Sequence, residues 1–351
     1  MRRLVFEKEV REAELCDPLS NFAPEAQPIE YRRDPLTGAR CRINVKRTMR
    51  IKQTTEKGGG LAALAMASEK GCIFCPGNLE RMTPRFPDRF VEGGRLKIGS
   101  AVLFPNLYPF SEYHGVAVFS GEHNPPLDGF APEVVRDCVK VCVEFLRLVR
   151  ERSPGVRYGS LNWNHMPPAG ASIMHPHLQV IADRSPTRLQ DELIRCSESY
   201  FKRHGSNYWL DLIETEAELG ERLIHRDGSI AWLASYAPRG NNEILGVLPG
   251  ASSIFGMDAE GLGALSAGIS KILRGYCDLG VESFNMSLIP GPLDLDAEYY
   301  SLNLRFSSRP SLEAHYTSDC GFMERIHLES VVESKPEVVA ERFRRYFVDG
   351  G

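Results

Sequence analysis

One plan of elements occurs twice along these 351 residues, and no other feature restricts the fold as much. In the first copy the apolar strand GVAVFS (115–120) leads to a segment where Val134, Val135, Cys138, Val141, Cys142, Phe145 and Val149 recur at helical spacing. A strand around VRYGSLNW follows, then a glycine-containing loop, then the strand HPHLQVIA. In the second copy EILGVLP (243–249) leads to a helical pattern of Leu262, Leu265, Ile269, Ile272 and Leu273. SFNMSLI, a loop and YYSLNLRF then complete the same series. Such an internal duplication predicts an α+β fold in which each repeat is an antiparallel-rich sheet with a helix packed on one face. The division expected is an N-terminal arm over 1–30, a first repeat over 31–190 and a second repeat over 191–351.

Side by side, the repeats set His175-Pro176-His177 against Asn303-Leu304-Arg305. One copy has histidines where the other has none, so chemistry is expected in the first repeat and binding or support in the second. Composition narrows the class further. Hydrophobic residues make up 42% and charged residues 25%, and a net charge of −4 argues against a surface that coats a polyanion. No nucleic-acid partner is expected on that ground. No apolar run approaches the roughly 20 residues of a membrane span. Charges also run through the N-terminal stretch where a signal peptide would be apolar. A cytoplasmic protein with no membrane partner is expected, and nine cysteines in that setting do not suggest a disulfide framework.

The sharpest constellation is Gly170-Ala171-Ser172-Ile173-Met174-His175-Pro176-His177-Leu178-Gln179. On a strand, residues two apart share a face, so His175, His177 and Gln179 would line up. Pro176 lacks an N–H, which predicts an edge strand or a strand end. The small residues before it would let backbone N–H groups approach an anion, with the Ser172 hydroxyl as a further donor. An imidazole beside such a loop fits nucleotidyl or phosphoryl transfer. A pair of ordinary histidines on a strand is the plainer alternative.

Cys72-Ile73-Phe74-Cys75 has the spacing of half a tetrahedral zinc site, with a redox dithiol as the other reading. His123, in the turn FSGEHNPP, and His175 are the best candidates for the remaining ligands, with His114 as runner-up to His123. Arg40, Arg42, Lys46, Arg47, Arg50 and Lys52 crowd one stretch, in which Arg47 and Arg50 could clamp a diphosphate or simply form a solvated basic face. Gly58-Gly59-Gly60 reads as a lid or a plain surface loop.

Four motifs together resemble the galactose-1-phosphate uridylyltransferase family, the duplicated branch of the histidine triad superfamily. They are Asp34-Pro-Leu-Thr-Gly38 with Arg47 and Arg50 downstream, Cys72-x-x-Cys75-x-Gly77-Asn78, Phe119-Ser-Gly-Glu-His123, and Gly170-Ala171-Ser172-x-x-His175-Pro-His177-x-Gln179. The resemblance runs from about Asp34 to the end of the chain. It implies that His177 is the nucleophile, that Gln179 holds the transferred phosphoryl group, and that Ser172, Arg47 and Arg50 contact phosphates. It matches Asn106 and Asn164 to asparagines near the nucleotide and the active-site loop, and Gly170 and Ala171 to that loop. It makes Cys72, Cys75, His123 and His175 the ligands of one structural Zn2+.

The resemblance also implies the partners: a nucleoside diphosphate sugar, a phosphorylated acceptor, and a second subunit in a homodimer. It departs from the pattern in the second repeat. A second metal site is expected to be lost, since Leu302-Asn303-Leu304-Arg305 lacks the histidines and Glu192 alone does not make a site. Asp319-Cys320-Gly321-Phe322-Met323-Glu324 follows the sugar-gripping segment only loosely. Arg305 is an expected contact for the acceptor's phosphate. The activity implied is transfer of a nucleoside monophosphate from a nucleoside diphosphate sugar to a sugar 1-phosphate. Rivals are a phosphorylase acting on a nucleotide sugar or dinucleoside polyphosphate with inorganic phosphate, and a zinc-stabilised nucleotide-binding protein without catalysis.

Overall fold

The computed structural model describes residues 3–49, 60–311 and 318–348. Strands β1 (Glu7–Asp17), β2 (Ala23–Arg33) and β3 (Arg40–Ile43) open the chain, followed by α1 (Gly60–Glu69) and α2 (Pro76–Met82). The first repeat is β4 (Leu96–Ile98), β5 (Ala101–Pro105), β6 (Tyr113–Val118), α3 (Pro132–Arg152), β7 (Tyr158–His165) and β8 (His177–Asp183). Helices α4 (Arg188–His204) and α5 (Tyr208–Leu219) lead to the second. It comprises β9 (Leu223–Arg226), β10 (Ala231–Ala234), β11 (Ile244–Leu248), α6 (Ala259–Asp278), β12 (Ser283–Ile289) and β13 (Leu302–Arg309). A short α7 (Phe322–Arg325), β14 (Ser330–Val332) and α8 (Pro336–Arg344) follow.

The duplication is written into the strand order. One ten-stranded sheet runs β4-β5-β6-β8-β7-β12-β13-β11-β10-β9, so the first five strands and the last five mirror each other about the β7–β12 junction. Phe284 pairs with His165 and Leu288 with Leu161 across that junction, antiparallel like every other ladder of this sheet. This is an α+β architecture, as the repeat pattern predicts.

Alternation along the strands separates two faces. Leu161, Trp163 and His165 of β7, and Phe284, Met286 and Leu288 of β12, are buried on the face that α3 and α6 cover. Helix α3 presents Val135, Cys138, Val141, Cys142, Phe145 and Val149 to it, the spacing read from the sequence. Gly268 lets α6 close on the sheet, since a Cβ there would lie 2.3 Å from the Trp232 ring. The opposite face carries the polar partners of the same strands: Asn162 and Asn164, His177 and Gln179, Asn285 and Ser287, and Arg305. Its second half is roofed by α4 and α5 through Leu193, Tyr208, Trp209 and Ile213.

Residues of the expected N-terminal arm form β1 and most of β2, a long hairpin in a separate sheet of order β1-β2-β3-β14. Strand β1 is exposed along nearly its whole length. The strand expected to begin at His175 begins at His177, so His175 and Pro176 lie just before β8 and not on it. Pro176 thus sits at a strand end, where its missing N–H breaks no ladder. Of the expected glycine lid, Gly58 and Gly59 lie outside the described residues, and Gly60 opens α1.

Candidate active site and metal cluster

The Cys-x-x-Cys segment is a tight knuckle between α1 and α2. The Cys75 N–H bonds the Cys72 carbonyl at 3.4 Å, and the Asn78 side chain donates to the same carbonyl at 2.9 Å. His123 comes from the turn after β6 and His175 from the residues before β8. Gly121 admits that turn, because a Cβ there would meet Pro76 at 2.7 Å. The four ligand atoms of Cys72, Cys75, His123 and His175 lie within 4.8 Å of one another. Both imidazoles aim Nδ1 at sulfur, His123 at 3.5 Å from Cys75 Sγ, and His175 at 3.8 Å from Cys72 Sγ and 3.7 Å from Cys75 Sγ.

Their other nitrogens are held from outside. His175 Nε2 donates to the Ser120 carbonyl at 2.9 Å, and His123 Nε2 lies 2.8 Å from Ser68 Oγ. Holding Nε2 leaves Nδ1 as the lone-pair donor, the outer-shell arrangement expected around a metal ligand. Burial and the neighbouring Cys72 sulfur push the Cys75 thiol up to about 11, an arrangement that a cation between the sulfurs reverses. The donor set therefore suits a metal ion, and His114, the runner-up, is not part of it.

His177 is the first residue of β8 and is buried against the edge of the Phe74 ring at 5.2 Å between centroids. Its Nδ1 lies 2.8 Å from the His175 carbonyl, so Nδ1 carries the proton and Nε2 keeps its lone pair. Burial lowers its pKa, against a smaller upward pull from that hydrogen bond, and the ring stays neutral near pH 7. Gln179, two residues along the same face, places Oε1 2.9 Å from His114 Nε2, and Asn106 Nδ2 approaches the same nitrogen at 3.2 Å. Asn106 thus joins the site through His114. His114 is a residue whose role the sequence did not reveal, since nothing in a lone histidine distinguishes a ligand from a glutamine's partner.

The turn between β7 and β8 is shaped by two positive-φ residues, Met166 (φ 67°) and Gly170 (φ 93°). The N–H groups of Ala169 and Ala171 both bond the Met166 carbonyl, and that of Gly170 bonds the Pro167 carbonyl. Those three donors close the turn on itself, which leaves the exposed Ser172 as the expected donor still facing outward. From the second repeat, Asn285 donates to both Asn164 Oδ1 and the Ala169 carbonyl, each at 2.8 Å. Arg309 donates to Asn285 Oδ1 at 2.9 Å and is itself gripped by Asp319 at 2.6 Å. Asn285, Arg309 and Asp319 also line a cavity of about 240 Å³. The repeat alignment could have found Asn285, because SLNW and SFNM set Asn162 against it.

The cationic expectations fare differently. Arg47 lies exposed on the turn Val45–Met49 after β3, and among the described residues no hydrogen bond or ion pair joins it to β8. Arg50 falls outside the described residues. Arg305 shares a cross-strand row with Gln179, through Asn162 and Ser287; its Nη1 donates to Glu243 at 2.6 Å, while its buried Nε has no hydrogen-bond partner among the described residues. Glu192 faces Arg239 at 3.6 Å.

The duplicated sheet, with the Cys72, Cys75, His123 and His175 cluster beside His177, has the fold of solved nucleotide-sugar enzymes to which the chain is similar. The ADP-glucose phosphorylase of Arabidopsis thaliana, solved with bound ADP-glucose, superposes with a TM-score of 0.71 at 18% identity, covering 90% of this chain and 98% of that one. A uridylyltransferase superposes at 0.65 and 17% identity over the same shares. At such identities the likeness is one of fold. The chain belongs to one family with an uncharacterized protein of Archaeoglobus fulgidus, to which it is 32% identical over 334 residues, 95% of this chain and 97% of that protein. No family model matches the chain.

Proposed function

We propose that the chain is a nucleotidyltransferase in which His177 Nε2 attacks the α-phosphorus of a nucleoside diphosphate sugar. The N–P bond forms as the bond from that phosphorus to the bridging oxygen breaks, and the sugar 1-phosphate leaves with the electron pair. A phosphate oxygen of the acceptor then attacks the same phosphorus, and the N–P bond breaks to restore His177. The observation that carries this reading is the 2.8 Å contact of His177 Nδ1 with the His175 carbonyl, which orients a neutral ring with Nε2 available.

Gln179 would steady the phosphoryl group, since its amide is itself held by His114. Ser172, Arg47, Arg50, Asn106, Asn164, Gly170 and Ala171 are the proposed substrate contacts. The metal would be a single Zn2+ on Cys72, Cys75, His123 and His175. With all four positions filled by protein it would be structural, tying the nucleophile's segment to the α1–α2 knuckle.

The acceptor is read as a sugar 1-phosphate, as in a UDP-glucose–hexose-1-phosphate uridylyltransferase. Inorganic phosphate is the second reading, supported by the likeness to ADP-glucose phosphorylase. Intact-protein mass spectrometry after brief exposure to UDP-glucose, UDP-galactose, ADP-glucose or GDP-sugars, quenched at alkaline pH, tests the mechanism. A nucleoside-monophosphate adduct on the wild type and none on His177→Ala is expected, and its mass names the base. Chasing the adduct with galactose 1-phosphate or with inorganic phosphate separates the two acceptors. Nucleotide binding without any adduct overturns the proposal in favour of a zinc-stabilised nucleotide-binding protein.

A further inference from the structure

Two side chains compete for one ring nitrogen beside the candidate nucleophile. Val116 of β6 is the direct partner of Gln179, and His114 that of Ile181, so His114 stands diagonally next to Gln179 on the face that carries His177. His114 Nε2 meets Gln179 Oε1 at 2.9 Å and Asn106 Nδ2 at 3.2 Å. Asn106 is fixed with its amide nitrogen toward the ring, because its Oδ1 accepts the Tyr108 N–H at 2.9 Å. The ring nitrogen can serve only one of these neighbours. As an N–H it donates to the glutamine oxygen, and as a lone pair it accepts from the asparagine.

The surroundings choose the first. His114 is buried, with the Phe110 ring 4.4 Å away between centroids, and burial lowers its pKa, so near pH 7 the ring carries a single N–H. Its Nδ1 has no partner among the described residues. A proton on Nδ1 would bury a donor with no acceptor and set a lone pair against Gln179 Oε1. A proton on Nε2 completes the shorter contact and leaves only a bare lone pair at Nδ1. Turning the glutamine amide round does not rescue the other tautomer, since two NH2 groups would then crowd one lone pair.

We infer that His114 is a positioning residue for Gln179: its Nε2–H holds the amide oxygen inward, so that the amide NH2 is presented to the transferred phosphoryl group. The inference rests on the nucleotidyl-transfer reading of His177. Non-bridging phosphoryl oxygens accept hydrogen bonds and donate none, so an amide turned oxygen-outward would repel them. Among the described residues no other side chain bonds the Gln179 amide, and the choice of its outward end therefore rests on His114.

Single-turnover adduct formation, followed by quenched mass spectrometry with whichever of UDP-glucose, ADP-glucose and the GDP-sugars labels the wild type, tests the assignment. His114→Leu fills the space without a donor and should slow the rate by roughly 10- to 100-fold. His114→Gln sets an amide NH2 within reach of the imidazole Nε2 position and should restore most of the rate. In a Gln179→Ala background there is no amide to orient, so adding His114→Leu should change the rate by no more than about twofold. If His114→Leu fails to fold, His114→Gln against His114→Glu carries the same test. The carboxylate draws the amide NH2 inward, so the glutamate should be slow only while Gln179 is present. Equal slowing in both backgrounds, a His114→Gln variant as slow as His114→Leu, or an unchanged rate would each overturn the inference and leave the mechanism standing. A wild type that forms no adduct overturns the mechanism and the inference together.

Discussion

His175 carries its ring toward the two cysteine sulfurs and its carbonyl oxygen toward His177 Nδ1, 2.8 Å away. One residue thereby belongs to the metal cluster through its side chain and to the candidate nucleophile through its backbone. Loosening the cluster should disturb the orientation of the His177 ring as well as the fold around it.

Metal removal is the direct probe of that coupling. Purified protein should contain about one zinc per chain by elemental analysis, and Cys75→Ser should contain none. The unfolding midpoint of the variant is expected to fall by roughly 5–10 °C, since the knuckle loses its tie to the residues before β8. Adduct formation should slow in parallel. A variant that kept the metal, or lost it with no change in midpoint, would refute the ligand set.

The protonation of His177 fixes a pH profile. Burial depresses its pKa, so the neutral ring persists below the ordinary histidine value of about 6.5. The rate of adduct formation should be level from pH 8 to 6.5 and decline only at lower pH, as measured by quenched mass spectrometry. A rate that already halves above pH 7 contradicts the buried, carbonyl-bonded ring.

Asn285 gives the second repeat a hold on the first repeat's turn. Asn285→Asp keeps an acceptor for Arg309 but loses the donations to Asn164 Oδ1 and the Ala169 carbonyl. Adduct formation should slow by about 10- to 100-fold with zinc content unchanged. An unaltered rate would show that the turn holds its shape without Asn285.

His165 predicts an acid sensitivity that is purely structural. Its ring stacks on Phe284 at 5.0 Å in the core, its Nδ1 has no partner among the described residues, and burial pushes its pKa down to about 3. Below pH 6.5 the unfolded chain takes up a proton that the folded chain refuses. Stability present above that pH is therefore lost as the pH falls toward 3, by on the order of 4 kcal/mol in the limit. Denaturant titrations at pH 7 and pH 4.5 should show a smaller loss for His165→Phe than for the wild type. Equal losses would place the acid sensitivity in other groups.

The readable part of this protein was the part that repeats or that needs a fixed spacing. Hydrophobic period marked α3, whose one buried face leaves its trace in the order of residues, and an unbroken apolar run marked β11, which is buried on both faces. Spacing marked Cys72 and Cys75 as half of a tetrahedral site, while His123 and His175 were joined to them through the family resemblance. The hairpin was not legible: β1 is exposed on both faces, so no alternation records it. His114 and Ser68 act only as partners of other side chains, which a sequence does not mark. The Arg305–Glu243 pair was not legible, because the acid comes from the segment just before β11 and not from Arg305's own strand.

The seam between β7 and β12 carries a consequence for how such a chain can change. Either half alone would end in a bare strand at the edge of its own sheet, and another half is the simplest thing to cover it. Linking the two makes that partnership permanent, and a partner that cannot leave is released from carrying its own chemistry. Asn303 and Arg305 stand where the other half has His175 and His177, with the ladder unbroken around them. The seam keeps the second half in the sheet whatever residues stand at those two positions.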